Sequence, residues 1–480
     1  MVRIIIDHNG PETGYKQVYQ QLRQAILSGR LVPGSRLTST RILAGQAGVA
    51  RITIARAYEQ LAAEGFVESR VGAGTYVAAE LPTKEEPVAN ATFIPTLTPW
   101  GQRVSALNQQ DERESEVSRP EIDFGFGRSF AERFPFDVWR RLLGRYLSTD
   151  DAMLSRYGSA AGFFPLRQAV ADYLVRARGV RCTPNEVVIV SGAQQAIDIL
   201  ARLLLNAGDQ VLVETPGYRD AFALFQLHQA RLVGLSVDNQ GLPVDEIPRD
   251  CRAKLVFVTP SHQFPKGGTM PLARRLALLA WAREHSAVVI EDDYDGDLRY
   301  EGGSLAALEG LDEDGRVGYL GTFSKVLFPA LRLGYLVLPR TLTGPFVQAK
   351  ELVDRGAPTL TQAAVADFLA EGHFERHLRH LRQLYGQKRA ALVAALDDYL
   401  GDRVRYSPVA AGLHVMIYAN APLDEAQLVR EAAARGVRVY GGALYHLERP
   451  APPSILLGFS GLSESEIVEG VRRLATCWPD

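Results

Sequence analysis

The stretch VVIVSGAQQ, residues 187–195, joins four apolar β-branched residues to a turn of small residues that can open a helix. Helical stretches separate most of five further short apolar runs, which lie at 211–213, 255–259, 287–290, 319–322 and 335–338. Strands that alternate with helices are typical of an α/β domain whose mainly parallel sheet is covered on both faces. From residue 122 onward the sequence therefore predicts a domain of this class.

Small and polar residues follow these strands, at the edge where α/β domains bind ligands. Ser191-Gly192 ends the first strand and leads into a helix, whose free N–H groups and positive dipole end suit a phosphate. Strand–glycine–helix turns are also common in sheets that hold no ligand. The turn alone therefore does not decide between a phosphate site and an ordinary connection.

Three carboxylates and a tyrosine, EDDY at 291–294, follow the strand AVVI. Such a cluster can bind a metal, cap a helix or pair with a cationic ligand. A metal site would require further oxygen or histidine ligands, and the sequence assigns none.

A lysine follows the fifth strand, where YLGT runs into Phe323-Ser324-Lys325. Burial lowers the pKa of a lysine and frees its nucleophilic amine, so Lys325 is a candidate for a Schiff base with a carbonyl compound. The alternative is an exposed surface lysine, the usual state of a single lysine. Arg332 lies seven residues further on, and its planar guanidinium suits a phosphate.

The first 78 residues follow another pattern. Apolar residues at helical spacing predict a helix that ends near Gly29, and Ser39 can cap a second helix over residues 40–47. A third helix is expected from about residue 50 to residue 63. The strings FVESR and TYVA then flank a glycine-rich tip, which predicts a hairpin. Three helices and a hairpin make a winged helix-turn-helix.

The second helix of such a turn enters the major groove of DNA and presents its first residues to base edges. Here these residues include Arg51 and Thr53, which can read a guanine and contact a thymine methyl or a phosphate. Arg41 is placed to hold a phosphate, and Gly72, with Arg70 nearby, lets the wing approach the DNA backbone. The alternative is that the arginines are solvated surface residues of a small helical domain.

The segment between the two regions, residues 79–121, is rich in Pro, Thr, Gln and Glu. It buries too little apolar surface to offset its ordering entropy, which predicts a linker. The chain has a formal net charge of −2, but residues 1–78 carry nine basic and five acidic side chains. A positive module on an acidic body is typical of a nucleic-acid-binding protein, although chance can also produce it.

Composition excludes several classes of protein. The chain is 46% hydrophobic and 22% charged, as globular proteins are. No segment approaches the roughly 20 apolar residues that cross a bilayer, and we expect no signal peptide. Cys182, Cys251 and Cys477 lie far apart and show no zinc-type spacing. We therefore expect a cytoplasmic protein without a disulfide framework, and not a secreted, membrane-spanning or fibrous one.

Residues 21–77 resemble the GntR-type winged-helix domain over nearly its whole length. The matching motifs are Gly-Arg-Leu-x-Pro-Gly-x-x-Leu, Gly-Val-x-Arg-x-Thr and the wing Glu-Gly-x-Val…Gly-x-Gly-Thr. The resemblance implies DNA binding, with Arg41, Arg51 and Thr53 at matching contact positions. Thr38 and Ala50 depart from the proline and serine that are frequent in the family, and the lost serine hydroxyl removes a candidate phosphate contact.

Residues 122–480 resemble the class I aminotransferases, which have the fold-type I architecture of pyridoxal 5'-phosphate (PLP) enzymes with a smaller C-terminal α+β subdomain. The resemblance implies PLP as cofactor, with Lys325 as the covalent attachment point. Asp292 resembles the partner of the pyridine nitrogen, and Tyr294 the phenol that hydrogen-bonds the ring oxygen. Tyr218, in ETPGY, resembles the aromatic residue that stacks on the ring.

The resemblance also implies a phosphate cradle, which consists of Ala193, Gln194, Thr322, Ser324 and Arg332. Tyr157, in RYG, resembles the tyrosine that reaches the phosphate of the neighbouring subunit.

Two departures from the aminotransferases bear on activity. Phe264 stands where these enzymes usually have an asparagine before the proline, so His262 or Gln263 is a candidate for the missing hydrogen bond. Residues 455–459 read ILLGF, without the arginine that grips a substrate carboxylate in the enzymes. That puts ordinary transamination of α-amino acids in doubt.

The whole chain, a GntR-type winged helix followed by a linker and an aminotransferase-like domain, resembles the MocR/GabR family of bacterial transcription regulators. The family implies a homodimer, exchanged head to tail, that binds operator DNA and senses PLP or a primary amine at Lys325. The alternative is a catalytically active aminotransferase with an accessory winged helix.

Overall fold

The computed structural model describes residues 2–7, 10–70, 72–80, 95–115, 120–127, 133–149, 153, 155–448 and 451–479. The chain divides into two compact units, Met1–Thr96 and Leu97–Asp480. Among the described residues, no helix combines the length and apolar character that crossing a bilayer requires.

The first unit is a winged helix-turn-helix. Its elements are α1 (Gly14–Leu27), α2 (Thr40–Ala47), α3 (Arg51–Ala63), β1 (Val67–Arg70) and β2 (Gly74–Val77). The hydroxyl of Ser39 accepts a hydrogen bond from the N–H of Ile42, and Gly48 ends α2 in the left-handed conformation. Leu22, Ile54 and Leu61 bury the inner faces of α1 and α3. The predicted order of elements is thus confirmed.

The second unit is built on a seven-stranded sheet in the order β4-β10-β9-β8-β7-β5-β6. Its strands are β4 (Val187–Val190), β5 (Gln210–Thr215), β6 (Arg231–Ser236), β7 (Ala253–Val258), β8 (Val288–Asp293), β9 (Val317–Thr322) and β10 (Gly334–Val337). The neighbouring pairs from β6 to β9 are parallel, whereas β10 runs antiparallel to both β4 and β9. The predicted α/β class is confirmed, and the sheet is mixed because of β10.

Helices cover both faces of this sheet and bury separate apolar clusters. The helices of this unit before its C-terminal part are α4 (Pro99–Ser115), α5 (Phe136–Thr149), α6 (Phe164–Arg178), α7 (Ala193–Leu204), α8 (Arg219–Leu227), α9 (Leu272–Glu284), α10 (Arg340–Asp354), α11 (Thr359–Ala370) and α12 (His373–Tyr399). A two-stranded parallel pair, β3 (Ile122–Asp123) with β13 (Val437–Arg438), joins the beginning of this unit to its C-terminal part.

The C-terminal part carries a smaller antiparallel sheet in the order β11-β12-β15-β14. Its elements are β11 (Val404–Tyr406), β12 (His414–Ala419), α13 (Glu425–Ala434), β14 (Tyr440–Gly441), β15 (Ser454–Gly458) and α14 (Glu464–Ala475). Ser463 and Glu466 form a capping box at the start of α14. This is the smaller α+β subdomain that the family resemblance implied.

Helix α4 lies inside the segment for which the sequence predicts a linker, residues 79–121. The guanidinium of Arg103 on this helix donates a hydrogen bond to the carbonyl of Leu227, 3.1 Å away. Arg103 thus ties α4 to the end of α8 within the second unit, and the exact bounds of a linker stay a prediction.

A buried ion pair ties α6 to the end of β8. The side chains of Arg178 and Asp293 are only 2% and 3% exposed, and their nearest nitrogen and oxygen are 2.6 Å apart. Arg178 also donates to the hydroxyl of Ser261, and Tyr319 donates to the Asp293 carboxylate. Since the site described next begins at Asp292, this pair fixes the strand end on which the site is built.

Candidate functional site

A pocket opens at the carboxyl ends of the parallel strands, where α/β sheets bind ligands. It brings together nine of the eleven residues predicted to hold a cofactor, which are Ala193, Gln194, Tyr218, Asp292, Tyr294, Thr322, Ser324, Lys325 and Arg332. Phe126, Gly192 and Phe264 complete its lining. The predicted residues come from four strand ends and one loop, which only the fold assembles.

One end of the pocket is suited to a phosphate. Gly192, with φ of +99°, precedes α7, and no side chain among the described residues caps the first N–H groups of that helix. The guanidinium of Arg332 donates a hydrogen bond to the carbonyl of Ser191. It also lies close to Gly192, because a Cβ added to this glycine would be 3.2 Å from the guanidinium. The hydroxyl of Thr322, which also lines the pocket, accepts a hydrogen bond from the N–H of Ser324. Backbone donors, two hydroxyls and a guanidinium thus converge at this end.

Lys325 lies in the pocket and not on the outer surface of the domain. Its ammonium nitrogen is 4.3 Å from the centre of the Phe126 ring. Burial lowers the pKa of Lys325, while Asp295 and Asp292 act in the opposite direction. Gly127, at φ of +85°, leaves room for the amine, because a Cβ there would lie 2.5 Å from it. The residue therefore has the setting of a nucleophilic lysine.

The three carboxylates after β8 have three different environments. Glu291 accepts hydrogen bonds from the N–H groups of Leu308 and Glu309, and Asp293 pairs with Arg178. Asp292 alone lines the pocket. Burial and the neighbouring Asp293 carboxylate raise the pKa of Asp292 to about 7, so a cation beside it would stabilise its ionised form. In the part of the chain that the structure describes, no metal-type cluster is present.

A histidine supports Tyr294 from behind the pocket. Nδ1 of His262 lies 2.9 Å from the hydroxyl of Tyr294 and 3.0 Å from a carboxylate oxygen of Asp295, and all three side chains are buried. His262 does not line the pocket itself. Gln263 faces away, since its amide donates to the carbonyls of Pro216 and Phe264. Of these two candidates for the missing asparagine contact, His262 is the one connected to the pocket.

An aromatic wall faces these groups. The hydroxyl of Tyr218 accepts a hydrogen bond from the amide of Gln194, 2.9 Å away, and its ring meets Phe264 edge to face. Phe264 packs with Tyr294, Met416 and Leu456 in one apolar cluster. The surface that carries a carboxylate-gripping arginine in aminotransferases is therefore apolar here.

Tyr157 lies outside the pocket of its own chain. Its side chain is 83% exposed and lies beside the guanidinium of Arg355.

The sequence did not predict one wall of the pocket, Phe126, because this residue precedes the first strand of the large sheet. No strand-end signal marks it, and only the glycines on either side hint at a tight approach.

The residues predicted to contact DNA lie on the surface of the first unit. Arg41 and Arg51 are exposed at the starts of α2 and α3, and Arg51 Nε donates to the hydroxyl of Thr40. Thr53 is half-buried in the first turn of α3. At the wing, the Arg70 guanidinium lies 4.6 Å from the centre of the Tyr76 ring, and Gly72 is exposed with φ of +76°.

Comparison with known proteins matches both units. Residues 14–77 match the family of bacterial regulatory proteins, gntR family, and residues 122–474 match aminotransferase class I and II. The chain is similar to the HTH-type transcriptional regulator YdeL of Bacillus subtilis, with 35% identity over 97% of this chain and 96% of the relative. It is equally similar to the probable rhizopine catabolism regulatory protein MocR of Rhizobium meliloti, with 35% identity over 99% of this chain and 96% of the relative.

The second unit is also similar to a solved structure of LysN, the alpha-aminoadipate aminotransferase of Thermus thermophilus, complexed with N-(5'-phosphopyridoxyl)-L-leucine. The TM-score is 0.72 at 30% identity, and the match covers 79% of this chain and 96% of LysN. Members of this fold family are PLP-dependent. Since the matches extend over both units and nearly the whole length, the chain belongs to the MocR-type transcription regulators, which join a gntR-family DNA-binding domain to an aminotransferase class I and II domain.

Proposed function

We propose that this regulator holds PLP in the pocket at Lys325, binds operator DNA through Arg41, Arg51, Thr53 and the wing, and changes its DNA affinity when the pocket binds its signal. The convergence of the nine predicted residues in one pocket, in a chain that also carries a winged helix, is the observation that supports this proposal most directly. The signal is either PLP itself or a primary amine.

The residues of the pocket fit PLP at each of its chemical groups. Gly192, Ala193, Thr322, Ser324 and Arg332 provide donors for the phosphate. The Asp292 carboxylate would accept a hydrogen bond from the protonated ring nitrogen, and the positive charge of that nitrogen would offset the cost of burying the carboxylate.

The remaining groups of PLP also find partners in the pocket. Tyr294, held by His262, could hydrogen-bond the ring oxygen, and Tyr218 would cover one face of the ring. When bound, PLP supplies an electrophilic carbonyl carbon, which Lys325 and an incoming primary amine can both attack.

Tyr157 fits a role in a homodimer. Its exposed phenol has no place in its own pocket, which is the expected position for a residue that completes the pocket of a second copy. A head-to-tail dimer would also carry two winged helices, so that one molecule binds two half-sites of an operator. We propose that this assembly acts in the cytoplasm, where the DNA is.

An active aminotransferase with an accessory winged helix is the competing function. The intact pocket is compatible with it, but the apolar cluster of Phe264, Met416 and Leu456 offers no cation for an α-carboxylate. A regulator needs the pocket to bind and exchange a ligand, and does not need turnover.

The test of this proposal is binding to the DNA upstream of the chain's own gene, at one fixed salt concentration, by PLP-free and PLP-loaded protein. A strong difference between the two forms would identify PLP as the signal. Equal binding would make PLP a permanent cofactor and direct the search to primary amines. If neither form binds this DNA, the protein does not regulate its own gene, and selection from random DNA then tests whether it binds a specific sequence at all.

The same assay with Arg51→Ala tests the DNA-reading surface. Loss of a contact to a base edge costs about 1–3 kcal/mol, so specific affinity is expected to fall about 5- to 150-fold while affinity for unrelated DNA falls less. Arg56→Ala is the matched control, since this exposed arginine lies on the same helix about 140° further round. Equal losses on specific and unrelated DNA would show that Arg51 does not read the sequence.

A further inference from the structure

Residues 2–7 form an extended segment that two glutamine side chains of α1 hold against the first unit. The amide of Gln21 exchanges two hydrogen bonds with the backbone of Ile5, at 3.0 and 2.6 Å. The amide of Gln17 exchanges two with the backbone of Asp7, at 2.8 and 2.9 Å. The two glutamines are one helical turn apart, about 6 Å, which is also the spacing of two residues in an extended chain. We call this segment the arm.

The side chains of the arm alternate between the core and the solvent, as they do in a strand. Ile4 is buried in the apolar cluster of the first unit, and Val2 and Ile6 pack against that cluster. The side chains on the outer face are exposed, and Ile5 among them is 69% exposed. They are Arg3, Ile5 and Asp7. The arm therefore presents to the solvent an isoleucine between two opposite charges.

One backbone edge of the arm is open. Because the N–H and C=O groups of Ile5 and Asp7 face α1, those of Ile4 and Ile6 face the opposite side. Within the described ranges of the chain, no group forms a hydrogen bond with the backbone of Ile4 or Ile6. An edge of this kind is a template on which a further strand can pair.

The open edge is complementary to a second copy of itself. In an antiparallel pair of arms, Ile4 and Ile6 must exchange the hydrogen bonds, since their backbone groups face the open edge. The register that pairs Ile4 of one copy with Ile6 of the other places Ile5 opposite Ile5 and Arg3 opposite Asp7. Each exposed charge then lies opposite a charge of the other sign, and the two exposed isoleucines meet. Cross-strand pairs of both kinds stabilise a sheet.

Other registers satisfy fewer of these conditions. A shift of two residues keeps the hydrogen bonds in phase but places Arg3 or Asp7 opposite Ile5. A shift of one residue brings to the shared edge backbone groups that α1 already holds. The hydrogen-bond pattern and the order of charges are independent features of the arm, and both select the same register.

We propose that the winged helices of two copies of this chain pair through their arms, as antiparallel strands centred on Ile5. This contact is separate from the role assigned to Tyr157, which belongs to the second unit. Two six-residue strands are too short to bury the roughly 1,200 Å² that a stable interface needs. The pairing therefore acts between copies that the operator or the second unit already holds together, where the effective concentration is high.

The arms give the regulator a source of cooperativity, and this part of the inference rests on the proposed function. Each copy presents one α3 to a half-site of the operator. A contact between two winged helices strengthens binding to a pair of half-sites without any new contact to DNA. It adds nothing to binding at a single half-site.

Cysteine cross-linking of the full chain tests the pairing, with and without DNA. At the Ile5 position of paired arms the two Cα atoms are about 4.5 Å apart, a distance that a disulfide spans. Ile5→Cys is therefore expected to give a disulfide-linked dimer in most molecules under mild oxidation. Ile42→Cys, at an isoleucine of α2 that is 57% exposed, measures linkage by random collision.

Two further proteins control for register and for the native thiols. The two Arg3 residues of paired arms lie about 14 Å apart, four residues along the strands, so Arg3→Cys is expected to remain unlinked. The original chain reports any linkage through its own free cysteines, which are Cys182, Cys251 and Cys477.

Exchange of the two charges tests the effect on DNA binding. The DNA is a site selected from random sequence and the same site with one half scrambled. Arg3→Asp places like charges opposite each other twice, so affinity for the paired site should fall about two- to tenfold more than affinity for the single half-site. Adding Asp7→Arg restores the opposite pairs and the net charge, and is expected to restore the ratio. Arg30→Asp, at an exposed arginine outside the arm, is the charge control.

The results separate the pairing from its use on DNA. The pairing is wrong if Ile5→Cys links no more than Ile42→Cys, and the register is wrong if Arg3→Cys links as well as Ile5→Cys. Linkage without any effect of the charge exchange would overturn the cooperative role alone. If selection yields no preferred sequence, the proposed function fails, while cross-linking in the absence of DNA still decides whether the arms pair.

Discussion

Lys325→Ala is expected to lose PLP during gel filtration and to lose every response of operator binding to primary amines. The reason is that Lys325 is the only lysine among the described residues that line the cofactor pocket, where burial lowers its pKa and makes it a nucleophile. Without its covalent bond, the cofactor is held by reversible contacts alone. The measurements are the ratio of bound PLP to protein, the cofactor absorbance, and operator affinity with and without amine.

The control for this variant is Lys254→Ala. Lys254 is a half-exposed lysine on β7 that pairs with Asp209 at 2.7 Å, outside the pocket. It should retain PLP and respond as the original protein does. If Lys325→Ala keeps full ligand-dependent DNA binding, the pocket is a relic and the domain serves only to join subunits.

Arg178→Ala is expected to destabilise the second unit by about 3–5 kcal/mol, the usual cost of leaving one member of a buried ion pair without its partner. The carboxylate of Asp293 would then be buried at the end of β8 without a cation, next to Asp292. Urea denaturation followed by tryptophan fluorescence measures the change. All four tryptophans lie beyond residue 96, so this signal reports the second unit.

Arg176→Ala gives the matched comparison for the buried pair. Arg176 lies two residues earlier on α6 and pairs with Glu375, but its side chain is 64% exposed. A pair of this kind contributes about 1 kcal/mol or less. Equal losses for the two variants would contradict the role assigned to the buried pair and would point to helix propensity as the shared cause.

The first unit follows from the sequence almost element by element because its structure depends on local signals. Each of these signals determines the backbone within a few residues of its own position. They are the cap at Ser39, the helix end at Gly48 and the glycines of the wing. The strands of the second unit were also found, since buried parallel strands form short apolar runs.

What the sequence did not predict depends on contacts between distant segments. The residues of β10 do not determine whether it runs parallel or antiparallel to its neighbours, because YLVL would fit a parallel strand equally well. The strand β6 was missed, since RLVGLS is interrupted by glycine and only partly buried.

The position of Phe126 has a consequence for how the protein works as a sensor. Its ring lies against the amine of Lys325, and only two residues separate it from β3, the first strand after the segment that comes from the DNA-binding unit. A ligand that displaced this ring would act two residues from that strand. If that displacement changes operator affinity, operator DNA must change the affinity for the ligand by the same factor, because coupling between two binding sites is reciprocal. A single coupling free energy would then describe both the effect of the ligand on DNA binding and the effect of DNA on ligand binding.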